Sequence, residues 1–136
     1  MIKGFTAGSW DLLHPGHVIF LQKCKELCDS FVVGLHIDPS IERSYKNKPI
    51  QTVFERYIQL RPFCDEIIPY ETEKELEYIL RVNKYDRRFL GDEYKNAKNT
   101  AEDICRELGI RLFYIPRFHD YSSSDLRNRI KEVEKI

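Results

Sequence analysis

The chain has 136 residues, 42% of them hydrophobic, which suits one globular domain with a buried core. Lysine plus arginine balance aspartate plus glutamate at 22 each, so the charge gives no sign of the broad cationic surface of a nucleic-acid binder. No window approaches the ~20 apolar residues of a membrane span, Met1-Ile2-Lys3-Gly4-Phe5 lacks a signal-peptide pattern, and no membrane partner is expected. Cys24, Cys28, Cys64 and Cys105 show no paired CxxC spacing, so the thiols are expected to be reduced and the protein cytoplasmic. Cys24 and Cys28 stand one helical turn apart, but no further ligand lies nearby in sequence, and no structural metal is predicted.

In chain order, residues 2–7 read as a strand, and residues 17–28 as a helix with apolar Val18, Leu21, Cys24, Leu27 and Cys28 at helical spacing. Residues 30–37 hold the continuous run Phe31-Val32-Val33-Gly34-Leu35, expected of a strand buried on both faces of a parallel sheet. Residues 38–51, with Pro39, Pro49 and the cations Arg43, Lys46 and Lys48, read as a mobile loop. Thr52 and Glu55 form a capping-box pattern before Val53, Tyr57 and Leu60, and Pro62 ends that helix. A short strand at 66–70 and a helix over 72–82 follow, then a strand over 86–91 that ends in Gly91-Asp92-Glu93. The last units are a helix over 100–108 stopped by Gly109, a strand over 110–115, and a final helix capped by Ser122 or Ser123. Strand and helix alternate throughout. This predicts an α/β, Rossmann-like doubly wound parallel sheet, a single three-layer α/β/α domain over residues 1–136, with its ligand site beyond the carboxyl ends of the strands.

The residues with chemical character fall at those ends. The run Gly8-Ser9-Trp10-Asp11-Leu12-Leu13-His14-Pro15-Gly16-His17 places two histidines about a Pro-Gly pair where a strand gives way to a helix. His-x-x-His spacing alone also suits a metal pair or a surface helix start. After a Gly-bounded turn, however, imidazoles beside unsatisfied N–H groups suit an anion, and they can stabilise charge developing at phosphorus. Arg43, Lys46 and Lys48 are either a solvated face or a lid whose cations meet phosphate on closure. Ser122, Ser123 and Ser124 are either redundant caps or a second anion site that Arg127 can reach, and Arg117 follows the last strand.

The runs Gly8 to His17 and Arg117-Phe118-His119-Asp120-Tyr121-Ser122-Ser123-Ser124-Asp125-Leu126-Arg127 resemble the two signatures of the cytidylyltransferase-like nucleotidyltransferases. In size and spacing the chain is most similar to the glycerol-3-phosphate cytidylyltransferases. Lys46-Asn47-Lys48, Glu55-Arg56 and Leu90-Gly91-Asp92-Glu93-Tyr94 fall where that family has its lysine loop, arginine helix and Gly-Asp turn. The resemblance implies transfer of CMP from CTP to a small phosphorylated alcohol or sugar, with Mg²⁺, release of pyrophosphate and a homodimeric state. His14, His17 and Lys46 would then be catalytic. Gly8, Ser9, Trp10, Gly16, Lys48, Asp92, Arg117, Ser122, Ser123, Ser124 and Arg127 would bind the nucleotide.

This chain departs from the close cytidylyltransferases in carrying Arg117-Phe118-His119-Asp120-Tyr121 where they carry Arg-Thr-Glu-Gly-Ile, and in offering only Lys74 within its acidic stretch 71–77. An adenylyltransferase acting on a flavin or sugar phosphate is therefore the alternative. A non-catalytic nucleotide sensor is a third reading, and the retention of both histidines and the lysine loop weighs against it.

Overall fold

A computed structural model describes residues 1–95, 102–117 and 121–134. Its strands are β1 (Lys3–Gly8), β2 (Ser30–His36), β3 (Glu66–Tyr70), β4 (Arg87–Gly91) and β5 (Arg111–Ile115). They alternate with α1 (Pro15–Glu26), α2 (Val53–Leu60), α3 (Glu73–Asn83), α4 (Glu102–Leu108) and α5 (Ser123–Glu134). Short 3-10 turns follow α2 at Arg61–Phe63 and β4 at Asp92–Tyr94.

All strand pairs are parallel, in the order β3-β2-β1-β4-β5. The run Phe31 to Leu35 divides by the two-residue period of a strand. Phe31, Val33 and Leu35 join Leu21, Cys24 and Leu60 of α1 and α2, whereas Val32 joins Leu76, Ile79 and Leu80 of α3 and Cys105 of α4. Each face of the sheet thus buries its own apolar cluster beneath its own helices, which makes the three layers that an uninterrupted apolar strand requires. Gly34 keeps the second layer close: a Cβ there would lie 2.9 Å from the Phe5 ring and 3.2 Å from that of Tyr70.

The helix boundaries follow local chemistry. α1 begins two residues earlier than the apolar spacing predicts, because Pro15 is pre-set for the first helical turn and His14 serves as N-cap. Thr52 and Glu55 form the expected capping box of α2, and Thr72 caps α3. Ser122 Oγ accepts from the Asp125 N–H at 3.0 Å and so caps α5. Gly109, at φ +74°, takes the left-handed turn after α4. Thr100, predicted to open that helix, lies outside the described residues, as do Phe118, His119 and Asp120.

The chain moves outward from β1 to β2 and β3, then crosses to β4 and β5, so the topological switch point lies between β1 and β4. The two strands pair at Gly4 with Arg87 and at Phe5 with Arg88. One residue further on, the Thr6 hydroxyl donates to the Phe89 carbonyl at 2.8 Å. A side chain takes over from the backbone ladder there, at the base of a cleft between the strand ends.

Candidate active site

The cleft has a volume of about 350 Å³, the scale of a small-molecule site. Gly8, Ser9 and Trp10 from the end of β1, His17 from α1 and Lys46 from the loop after β2 line it. The sequence reading placed these residues together. Its other candidates, His14, Gly16, Lys48, Asp92, Arg117, Ser122, Ser123, Ser124 and Arg127, are not in the wall of the cleft.

The two histidines have a defined local chemistry. The Gly16 N–H donates to His14 Nδ1 at 3.0 Å, and the His14 N–H donates to His17 Nδ1 at 3.2 Å, a reciprocal capping box built from imidazoles. The rings stack with centroids 3.9 Å apart. Because each Nδ1 is an acceptor, the proton of each neutral ring resides on Nε2. His17 can therefore present a donor to the cleft, at the positive end of a helix whose first turn holds no acidic residue.

The loop that carries them is strained and strongly tied. Trp10 and Leu12 have φ of 55° and 52°, left-handed values that cost a non-glycine residue roughly 1–3 kcal/mol each. Trp10 is held by its indole N–H, which donates to the Gly34 carbonyl at 3.0 Å, and by edge contact with His17. The Leu12 N–H donates to Gln51 Oε1 at 2.7 Å. Between them Asp11 is 3% exposed. Its carboxylate accepts from the Gln51 and Ile50 N–H groups, both at 2.9 Å, and from the Arg127 guanidinium, while its carbonyl accepts from the Ser123 hydroxyl at 2.9 Å.

Asp11 therefore joins three segments that the sequence separates widely: the β1–α1 loop, the end of the lysine loop and the start of α5. The sequence reading expected Ser123 and Arg127 to face an anion. In the structure both are engaged with Asp11, which orients α5 toward the histidine loop. Arg117 donates to the Tyr121 carbonyl, and Asp92 and Lys48 are exposed.

Arg56 fixes the other side of the loop. It is 2% exposed, and its guanidinium donates to the carbonyls of Ser9 at 3.0 Å, His36 at 2.9 Å and Ile37 at 2.7 Å, with Nε serving Gln51 and Thr52. Burial pushes its pKa below the usual arginine value, against the favourable charges of Asp11 and Asp38. Only a planar, five-donor fork can serve so many carbonyls at once.

The lysine loop is less free than its composition predicts. Arg43 pairs with Glu73 at the start of α3, and the Glu73 N–H donates to Glu42 Oε1 at 2.9 Å. Lys46 is left as the lysine of that loop in the cleft wall, 5.8 Å from the Tyr45 ring centroid. The sequence reading assigned no role to His36, Tyr70, Glu73 and Arg88, which also line the cleft. His36 and Tyr70 stack with centroids 4.6 Å apart, and His36 Nε2 donates to the Glu71 carbonyl at 3.2 Å. Burial lowers the His36 pKa and keeps the ring neutral, and burial likewise raises the Tyr70 phenol.

No thiol is activated for covalent chemistry. Burial raises Cys24 and Cys105 and pushes Cys64 up to about 11. The arrangement offers instead a helix terminus, the His17 imidazole and a lysine around one cleft, the equipment for binding and polarising phosphate.

The sequence profile described as Cytidylyltransferase-like matches residues 5–129. The chain belongs to this nucleotidyltransferase family. Among relatives of this cytidylyltransferase-like protein, FAD synthase from Aciduliprofundum boonei is 32% identical over all of this chain and 91% of its own length. Bifunctional protein HldE from Nitratiruptor sp. is 35% identical over 76% of this chain but only 23% of that relative. The chain thus spans about a quarter of the HldE relatives' length. The crystal structure of the lipopolysaccharide core biosynthesis protein from Thermoplasma volcanium superposes with a TM-score of 0.67 at 28% identity, covering 90% of this chain and 99% of that one. Family membership makes the doubly wound sheet a nucleotidyltransferase fold and the crevice at its switch point the site to consider for nucleotide chemistry. Among the described residues, no helix is long and apolar enough to cross a membrane.

Proposed function

We propose that this protein transfers a nucleotidyl group from a nucleoside triphosphate to a small phosphorylated acceptor. An acceptor phosphate oxygen attacks the α-phosphorus, a new P–O–P bond forms, and the bond to the departing pyrophosphate breaks. The observation that carries this reading is the imidazole capping box at the start of α1, which commits both Nδ1 atoms to backbone N–H groups and leaves Nε2 as the donor. Such donors stabilise charge that builds on the transferring phosphoryl group, and the chemistry asks the protein for little beyond position and charge. In this reading His14 and His17 act on that charge, and Lys46 neutralises phosphate on the lid side. Gly8, Ser9, Trp10 and Gly16 shape the turn, Lys48, Asp92, Arg117, Ser122 and Ser124 serve the nucleotide, and Ser123 and Arg127 contribute through Asp11, which holds the start of α5 against the histidine loop.

ATP is the nucleotide we favour, because the relative matched over the whole chain is named for making FAD, a product with an adenylate half. CTP is the second reading, favoured by the Cytidylyltransferase-like profile. Mg²⁺ fits as a companion of the triphosphate. No group of three or more His, Cys, Asp or Glu side chains gathers among the described residues to form a cage, and both Asp11 carboxylate oxygens already have donors. Phosphate oxygens and water would supply most of its ligands. Pyrophosphate release from each of the four triphosphates, measured against hexose phosphates, glycerol 3-phosphate and FMN, tests the proposal. Release with ATP supports the favoured nucleotide, release with CTP the second, and binding of nucleotide without release in any combination refutes transfer.

A further inference from the structure

Glu73, the first residue of α3, places a carboxylate in the wall of the cleft. An acid there repels an anionic ligand, so direct contact with phosphate does not explain it. Two bonds tie it instead to the lysine loop. Its carboxylate accepts from the Arg43 guanidinium, and its N–H donates to Glu42 Oε1 at 2.9 Å.

From Arg43 the contacts continue to Lys46. Arg43 also donates to the Tyr45 hydroxyl, and the Tyr45 ring centroid lies 5.8 Å from Lys46 Nζ, within cation–π range. Tyr45 is 76% exposed, so burial does little to fix its ring and the bond to Arg43 does more. The Lys46 N–H donates to the Arg43 carbonyl at 2.9 Å, closing a turn between the two residues. Further along the loop, the Ile50 and Gln51 N–H groups are held by Asp11. Lys46 therefore lies between two anchors, one on α3 and one on the histidine loop. A lysine side chain has much rotamer freedom to lose, so fixing its backbone and stem beforehand favours binding.

Resting on the transfer reading above, we infer that Glu73, Arg43 and Tyr45 are positioning residues that pre-set Lys46 at the cleft for the phosphates of the nucleotide. They act through Lys46, with no contact of their own to the nucleotide required. Charge and anchoring predict opposite signs for loss of the acid. Removing a carboxylate from the cleft wall favours an anion by charge alone, whereas releasing Lys46 disfavours it.

The test uses the full chain and calorimetric binding of the four nucleoside triphosphates, with Glu73→Ala, Lys46→Ala and the double variant beside wild type. For the triphosphate that wild type binds most tightly, Lys46→Ala should weaken binding roughly 10-fold, the scale of one hydrogen bond between charged groups. Glu73→Ala should weaken it about 5-fold, and the double variant should bind no more weakly than Lys46→Ala alone. Hydrogen exchange should quicken at residues 42–48 in Glu73→Ala while β1 keeps its protection. Glu73→Gln, which keeps an acceptor oxygen for Arg43, should show a smaller loss, and it carries the test if Glu73→Ala does not fold. Binding in Glu73→Ala equal to or tighter than wild type, a full further loss in the double variant, unaltered exchange, or wild-type affinity in Lys46→Ala overturns the positioning role. If wild type binds a triphosphate but releases no pyrophosphate with any acceptor, transfer fails, while the coupling of Glu73 to Lys46 stands or falls by binding. If it binds none of the four, both readings fail.

Discussion

Replacing Asp11 by asparagine removes a charge that holds three segments together at nearly constant shape. The wild-type carboxylate accepts two backbone N–H groups at 2.9 Å and the Arg127 guanidinium, with the two side chains 4% and 16% exposed. Hydrogen bonds to a charged group contribute about 1.5–3 kcal/mol each, and removing one partner of a buried pair costs about 3–5 kcal/mol. These figures overlap and do not add. Asparagine keeps one acceptor oxygen, so the expected loss is about 3 kcal/mol. With an unfolding entropy of ~2.1 cal/mol/K per residue over 136 residues, this lowers Tm by about 10 °C. Thermal unfolding by circular dichroism measures it. A cycle with Arg127→Met should show a coupling of about 1–3 kcal/mol. A Tm within about 2 °C of wild type, or strictly additive effects of the two substitutions, would refute the role of Asp11 as the joint between the histidine loop and α5.

Three further outcomes follow from the same structure. Gly34→Ala places a Cβ 2.9 Å from Phe5 and 3.2 Å from Tyr70, so it should destabilise by about 1–3 kcal/mol in urea unfolding; a neutral effect would mean the sheet yields there. Arg56→Lys cannot serve the five carbonyls that the guanidinium reaches; it should cost about 3 kcal/mol and loosen residues 9–12 in hydrogen exchange, and unchanged protection would count against the clip. His36 has a folded pKa below its ordinary 6.5, so the unfolded chain binds more protons from 6.5 down to the folded value. Its contribution is complete above 6.5 and is lost as pH falls through that window, by up to ~1.4 kcal/mol per pH unit. His36→Gln should flatten the stability profile there, and an unaltered slope would show that His36 is not the titrating group.

Much of the fold was legible because its signals are local. The apolar run Phe31 to Leu35 announces a strand covered on both faces, and the Thr52–Glu55 pair marks a helix start that the structure places as expected. The histidine pair was legible as a turn between a strand and a helix, though spacing alone could not show that each imidazole caps the helix through Nδ1. What escaped was long-range. Asp11 meets Gln51 and Arg127, 40 and 116 positions away, and nothing in its neighbourhood announces either. Arg43 reads as one of three loop cations until Glu73, 30 positions on, is placed beside it. A buried acid between Trp10 and Leu12 was the available signal for Asp11: a charge amid apolar residues needs partners, and here they come from distant segments.

The central claim, nucleotidyl transfer assisted by the helix-capping histidines, meets its most direct test in pyrophosphate release by wild type and His17→Ala, with nucleotide binding measured in parallel. Release from one triphosphate in the presence of a phosphorylated acceptor, reduced ~100-fold or more in His17→Ala while nucleotide affinity is largely kept, is the predicted result. Wild-type turnover in His17→Ala would contradict it.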